Sequence, residues 1–292
     1  MAESAFSRIA VGEEDGDLRD TIEGFFPRPV RPLDEIMGEI FGMVAKDVPT
    51  KLMRAWQKSD EVADDFPDKY KGLTRDDRAI LALYTTESKP KEESVYAVVN
   101  AALRSRDRSA VKPWADFIWL LATAMSKLPR VKTNTLYRGD QKAAESFGKQ
   151  CKKNKTILWC GFTSTARQLE GIKDFLGTTG PRTMWTLQLR EGFYGVSLED
   201  FSFYETEREV LLPPQMEFKV TSVLDLGGGL TGVQLEQIKE LDPVIDFLVE
   251  APADSAPAAP AEEKRKAEEE AKQVAEAAKK LETEQAAAAL AA

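Results

Sequence analysis

The chain contains no histidine. That absence removes Ser-His-Asp hydrolases, Cys-His proteases, zinc sites built on imidazole and every reaction that needs a histidine base. Whatever chemistry occurs must run on carboxylates, arginines, hydroxyls or a bound co-reactant. Cysteine is nearly absent as well. Cys151 and Cys160 are too few for a disulfide framework and are not spaced as CxxC, so both are expected to be reduced thiols. No stretch approaches the ~18 uninterrupted apolar residues of a membrane span. The acidic start, MAESAFSRIAVGEEDGD, lacks the basic-then-apolar pattern of a secretory signal, and the expectation is a soluble, cytoplasmic protein. Positive charge is also short: the formal net charge is -9, which argues against a nucleic-acid partner, because phosphates need a cationic face.

What is present is enough for one globular domain with extra segments at both ends: 292 residues, 42% hydrophobic and 30% charged. Residues 1–32 are acidic and then punctuated by proline (FFPRPVRP), which reads as a loosely ordered lead-in. From Leu33 to about Leu128, LDEIMGEIFGMVAKDV, DDRAILALYTTES, ESVYAVVNAALRSR and KPWADFIWLLATAMSKL repeat apolar residues at helical spacing, with Pro49, Pro90 and Pro113 near the breaks. After Pro129 the texture changes to short runs rich in β-branched and aromatic residues: TNTLYRG, KTILWCGFTST, RTMWTLQL, FYGVSL, EVLL, MEFKVTSVLDL and TGVQLEQI. Helices are expected to interrupt these near Gln141–Cys151 and Arg167–Leu176. Helices followed by strands give an α+β class, with one domain over 33–250. Residues 251–292 read as an Ala/Pro linker (APADSAPAAPA) and a charged helical tail without a sustained apolar stripe. That tail is either a solvated helix or a partner-binding one.

Three features of the strand region could carry chemistry. The first is Tyr137-Arg138-Gly139 at the end of a strand. The arginine can fork two hydrogen bonds onto a phosphate, and the glycine lets a ligand approach the backbone. Alone, such an arginine is usually a solvated charge. The second is Phe162-Thr163-Ser164-Thr165, whose hydroxyls could orient a neighbouring carboxylate but which alone is ordinary strand composition. The third is Ser202-Phe203-Tyr204-Glu205-Thr206-Glu207-Arg208-Glu209, leading into Val210-Leu211-Leu212-Pro213-Pro214. If the strand extends through it, Glu207 and Glu209 point to one face and perturb each other's ionisation.

Together and in this order, the three resemble the R-S-E class of mono-ADP-ribosyltransferases. That family's signature is an arginine after an aromatic, an F-x-S-T-S-like strand, and an E-x-E before a V-L-[IL]-P-P strand. The resemblance runs from about Leu73 to Ile238 and includes ALYTTES and YAVVNAALR as a helix pair ahead of the arginine strand. Ala166 departs from the third position of the S-T-S motif, and Glu205 stands where a proline often follows the loop aromatic. The class whose first motif is a histidine is ruled out by composition.

The resemblance implies an α+β fold in which the helical block precedes a mostly antiparallel, two-sheet core. It implies NAD as co-substrate, no metal, and transfer of ADP-ribose to an exposed arginine of an acceptor protein with release of nicotinamide. Tyr84, Arg138, Gly139, Ser164, Thr165 and Ser202 would line the NAD cleft, with Arg138 on a phosphate and Ser164 bracing Glu209. Glu209 would stabilise the cationic, oxocarbenium-like transition state. Glu207 would orient the acceptor guanidinium and take its proton, and Tyr204 would touch the acceptor protein. Two rival functions are an NAD glycohydrolase on the same scaffold and a non-catalytic NAD-binding interaction module. Gly227, Gly229 and Gly232 also match GxGxxG, but GVQLEQI after them reads as a returning strand, so the glycines are expected to form a hairpin rather than a dinucleotide loop.

Overall fold

The computed structural model describes residues 28–105, 107–147, 151–190, 195–204 and 208–240. The tail, most of the lead-in and Glu207 lie outside these residues. The end of the lead-in is fixed by charge: Arg28 and Arg31 both pair with Asp116, at 2.9 and 2.7 Å.

The helical block comprises α1 (Leu33–Ile40), α2 (Val48–Asp65), α3 (Arg75–Tyr84), α4 (Val95–Arg104) and α5 (Ala115–Ser126). In α1, Leu33, Ile36, Met37 and Ile40 recur at helical spacing and all are buried. The long helix α2 was not among the periodic sequence stretches. Its buried positions (Val48, Leu52, Ala55, Ser59 and Val62) include small and polar residues that dilute the apolar signal. Pro49 sits in its first turn, where a missing N–H costs nothing. Helix α3 opens with a capping box in which Thr74 and Asp77 satisfy each other's backbone N–H groups. From Ala79 to Tyr84 every residue of α3 is buried, so this helix runs through the core rather than over it.

Strands β1 (Thr135–Asp140), β2 (Thr156–Trp159), β3 (Thr163–Ala166), β4 (Arg182–Gln188), β5 (Val196–Ser197), β6 (Glu209–Leu212), β7 (Met216–Asp225) and β8 (Leu230–Glu240) form an eight-stranded sheet in the order β2-β7-β8-β4-β1-β3-β6-β5. Neighbours are antiparallel except β4 and β8. This corrects the expected two-sheet core: the strands are hydrogen-bonded into one sheet. The join between its halves is nevertheless slight, because β1 meets β3 in register only at Tyr137 and Ala166.

Two apolar clusters flank the strands. Leu211 packs with the helical block, while Val210 and Leu212 join Leu136, Trp159, Trp185 and Phe218, so β6 alternates between the two clusters as a strand buried on both faces must. Between β1 and β2 the described part of the expected helix, up to residue 147, holds a short turn (Ala144–Phe147), and between β3 and β4 it is a turn (Leu169–Ile172) running into α6 (Lys173–Leu176). The glycine run does form the β7–β8 hairpin, with Gly227, Gly228 and Gly229 all at positive φ. Cys151 and Cys160 are free and buried, and burial pushes their thiols up to about 11 and about 12. Among the described residues no helix is long and apolar enough to cross a membrane.

Candidate active site

The weak join between β1 and β3 creates the site. Antiparallel pairing beyond Tyr137–Ala166 would place Gly139 opposite Ser164, but the ladder stops there. The Ser164 carbonyl instead accepts a hydrogen bond at 3.0 Å from Arg138 Nη1. A side chain thus substitutes for a ladder bond, and the strands part to make room for a cavity of about 440 Å³.

Arg138 is itself held by a two-point ion pair. Its Nε and Nη2 donate to Asp140 Oδ2 and Oδ1 at 2.9 and 2.8 Å. Residues two apart on a strand share a face, which brings this pair together. Trp185, directly across the ladder from Arg138, donates its indole N–H to Asp140 at 2.9 Å. Arg138 has five N–H donors. These contacts use three and leave two for a ligand.

Facing it, Ser164 on β3 donates its hydroxyl proton to Glu209 Oε1 on β6. The β3–β6 register pairs Ser164 with Leu211 and Ala166 with Glu209, so Ser164 and Glu209 project from one face as diagonal neighbours. Glu209 is only 7% exposed, yet it lines the cavity with Arg138, Ser164, Gly139 and Tyr84. The structure therefore brings Arg138, Ser164 and Glu209 together as the sequence pattern implied.

Other expected residues have different surroundings. Ser202 is buried, and its hydroxyl accepts the Tyr204 N–H at 3.0 Å. Thr165 reaches the wall, but its hydroxyl is committed to the Val210 carbonyl at 2.7 Å because strand alternation turns it away from Ser164. Gly139 lines the cavity, but a Cβ there would lie 3.1 Å from the backbone of Ile172 and Leu176. Its smallness therefore also admits the turn that leads into α6. Tyr204 is 40% exposed on the rim.

The common-face argument for Glu207 and Glu209 rested on a continuous strand. Strand β6 begins at Glu209, and Arg208 has φ 44, a left-handed backbone that breaks the period of two. Glu207 itself lies outside the described residues.

Sequence reasoning missed Asp140, whose signal was its spacing from Arg138. It also quoted but did not single out Asn100 and Arg104, which share a face of α4 with Tyr96 at four-residue spacing and line the cavity with it. Lys142 adds a further cation to that wall. Burial holds its ammonium below the ordinary lysine range, with Asp140 opposing and Arg104 reinforcing the shift. The cavity thus offers cations (Arg104, Arg138, Lys142) suited to an anionic ligand, and a carboxylate, Glu209, held by the Ser164 hydroxyl. Among the described residues no group of Cys, Asp and Glu could hold a metal ion.

A family model described as NAD:arginine ADP-ribosyltransferase matches residues 46–241. No curated protein matches the chain in sequence. Similar folds occur in the type III effector XopAI of Xanthomonas axonopodis pv. citri (17% identity, TM-score 0.53, covering 76% of this chain and 95% of that one). They occur also in the eukaryotic mono-ADP-ribosyltransferase ART2.2, as a mutant in complex with NADH (15%, 0.52, 77% and 92%). The Vis toxin of Vibrio splendidus is a further match (22%, 0.43, 75% and 90%). The family match spans most of the chain, from the second helix to the last strand, and takes in Arg138, Ser164 and Glu209. The chain belongs to the NAD:arginine ADP-ribosyltransferase family, enzymes that use NAD as co-substrate.

Proposed function

We propose that the chain transfers ADP-ribose from NAD to an arginine side chain of an acceptor protein. The observation that carries this reading is the Ser164–Glu209 hydrogen bond facing Arg138 across one cavity. The cavity suits the dinucleotide: its volume of about 440 Å³ falls within the roughly 300–1,000 Å³ of small-molecule sites. Arg138 retains two N–H donors for a phosphate oxygen, and Arg104 and Lys142 add charge of the required sign.

Bound NAD supplies an N-glycosidic bond whose cleavage expels neutral nicotinamide and leaves positive charge on the ribose carbon. Glu209 is the fixed negative group for that charge. Its carboxylate is held by Ser164 before the reaction starts, so little reorganisation is needed as charge develops. Trp185 holds Asp140, Asp140 holds Arg138, and Arg138 in turn holds the Ser164 carbonyl. The acid, its brace and the phosphate anchor therefore form one connected network. Glu207, by its place in the E-x-E pattern, orients the incoming guanidinium and accepts its proton, a step that arginine needs because it is protonated in water. Tyr204, exposed at the cavity rim, meets the acceptor protein.

The test is incubation of the purified protein with labelled NAD and a cell lysate, followed by mass spectrometry of the modified residues. ADP-ribose on arginine supports the reading. Nicotinamide release with no labelled protein or arginine compound replaces it with a glycohydrolase. Binding of NAD without release of nicotinamide replaces it with a binding module.

A further inference from the structure

Asn100 is fully buried on α4, and its amide crosses from the helical block to the strand that carries Ser164. Its Nδ2 donates to Tyr84 Oη at 2.9 Å and to the Phe162 carbonyl at 3.1 Å. Phe162 immediately precedes β3 and lies two residues from Ser164. The other end of the amide is unusual. Among the described residues Asn100 Oδ1 accepts no hydrogen bond, and it rests against Gly161, where an added Cβ would sit 2.5 Å from it. Gly161 has none of the positive φ that would itself require glycine, so its missing side chain serves that close approach.

We infer that Gly161 and Asn100 are positioning residues for the Ser164–Glu209 pair, an inference that rests on the reading of Glu209 above. Asn100 sets the height of the Phe162 carbonyl, and the short strand transmits that setting to Ser164. Gly161 does not line the cavity, so it can act on the reaction only through its neighbours. A methyl group there pushes the amide away, and the Phe162 carbonyl and the tyrosine hydroxyl lose their shared donor.

The experiment compares wild type, Gly161→Ala, Asn100→Ala and the double variant in nicotinamide release and in amide hydrogen exchange. In Gly161→Ala, kcat falls about tenfold or more, as a small misplacement of a reacting group does, with KM for NAD within about twofold of wild type. The Thr163–Ala166 amides exchange faster while β7 and β8 keep their protection. The double variant is no slower than Asn100→Ala, because both changes break one contact. Wild-type kcat and β3 exchange in Gly161→Ala, or losses that add in the double variant, overturn the inference. If wild type releases no nicotinamide, the reading of the reaction fails instead, and β3 exchange alone decides the positioning role. Asn100→Ala removes the bonds without a clash and carries both readouts if Gly161→Ala does not fold.

Discussion

Ser164 and Glu209 lie on adjacent strands and are tied hydroxyl to carboxylate, two residues apart in register and so on one face. A carboxylate held this way has its charge fixed in place, and the charge is what matters. Glu209→Gln keeps the size and the contact to Ser164 but removes the charge. Both nicotinamide release and ADP-ribose transfer should fall by ~10²-fold or more. Near wild-type turnover in the purified variant would remove Glu209 from the mechanism.

Glu207→Gln should separate the two activities. If Glu207 serves only the acceptor, the variant loses transfer to an arginine analogue yet still releases nicotinamide to water. Both can be measured on one preparation. A parallel loss would assign Glu207 to the NAD site or to the fold.

Asp140→Asn leaves the part-buried Arg138 guanidinium with a neutral partner. Weakening a part-buried hydrogen bond between charged groups in this way costs about 1–3 kcal/mol. Urea unfolding should therefore show a lower midpoint with an unchanged slope. The surviving folded enzyme should have a raised KM for NAD, since Arg138 is no longer aimed. An unchanged midpoint and KM together would mean that the Ser164 carbonyl and a neutral amide in place of the Asp140 carboxylate suffice to hold it.

Asp200 gives a pH dependence. It lies in the loop that follows β5 and accepts hydrogen bonds from Lys69 and Tyr70, each at 2.5 Å. Burial favours its neutral form, but the Lys69 and Tyr70 contacts outweigh it and hold the carboxyl below the usual aspartate range. A folded-state pKa below the unfolded one stabilises the fold above the unfolded value, near 3.9, and that contribution fades as pH falls through the folded value. Asp200→Asn should therefore be less stable than wild type at pH 7, and the two denaturation curves should converge below about pH 4. A gap that persists into stronger acid would show that the aspartate acts by packing rather than by charge.

Much of this fold was legible before any coordinates. Apolar periodicity marked the helical block, and the change of texture after Pro129 marked the strands. The Gly227–Gly229 hairpin followed from the strand that returns after it. Arg138, Ser164 and Glu209 were found because their motifs keep a fixed order. What escaped was tertiary. The spacing of Arg138 and Asp140 puts them on one face, but no local signal says that Trp185, from a distant part of the chain, will join them. The hydrogen bond that the Ser202 hydroxyl accepts from the Tyr204 N–H likewise has no local signal. The single sheet depends on one residue pair between β1 and β3, a contact no pattern specifies.

The left-handed backbone at Arg208 has a consequence for how such an enzyme changes over time. In an unbroken strand, inserting one residue flips every side chain beyond it to the opposite face. Arg208 interrupts the alternation just before Glu209, so an insertion or deletion ahead of it is absorbed in the loop and not passed into β6. The loop can lengthen, shorten or exchange its residues while the carboxylate stays beside Ser164. On the proposed reading of Tyr204, Glu207 and Glu209, acceptor preference would be free to drift while the chemistry on NAD is inherited unchanged.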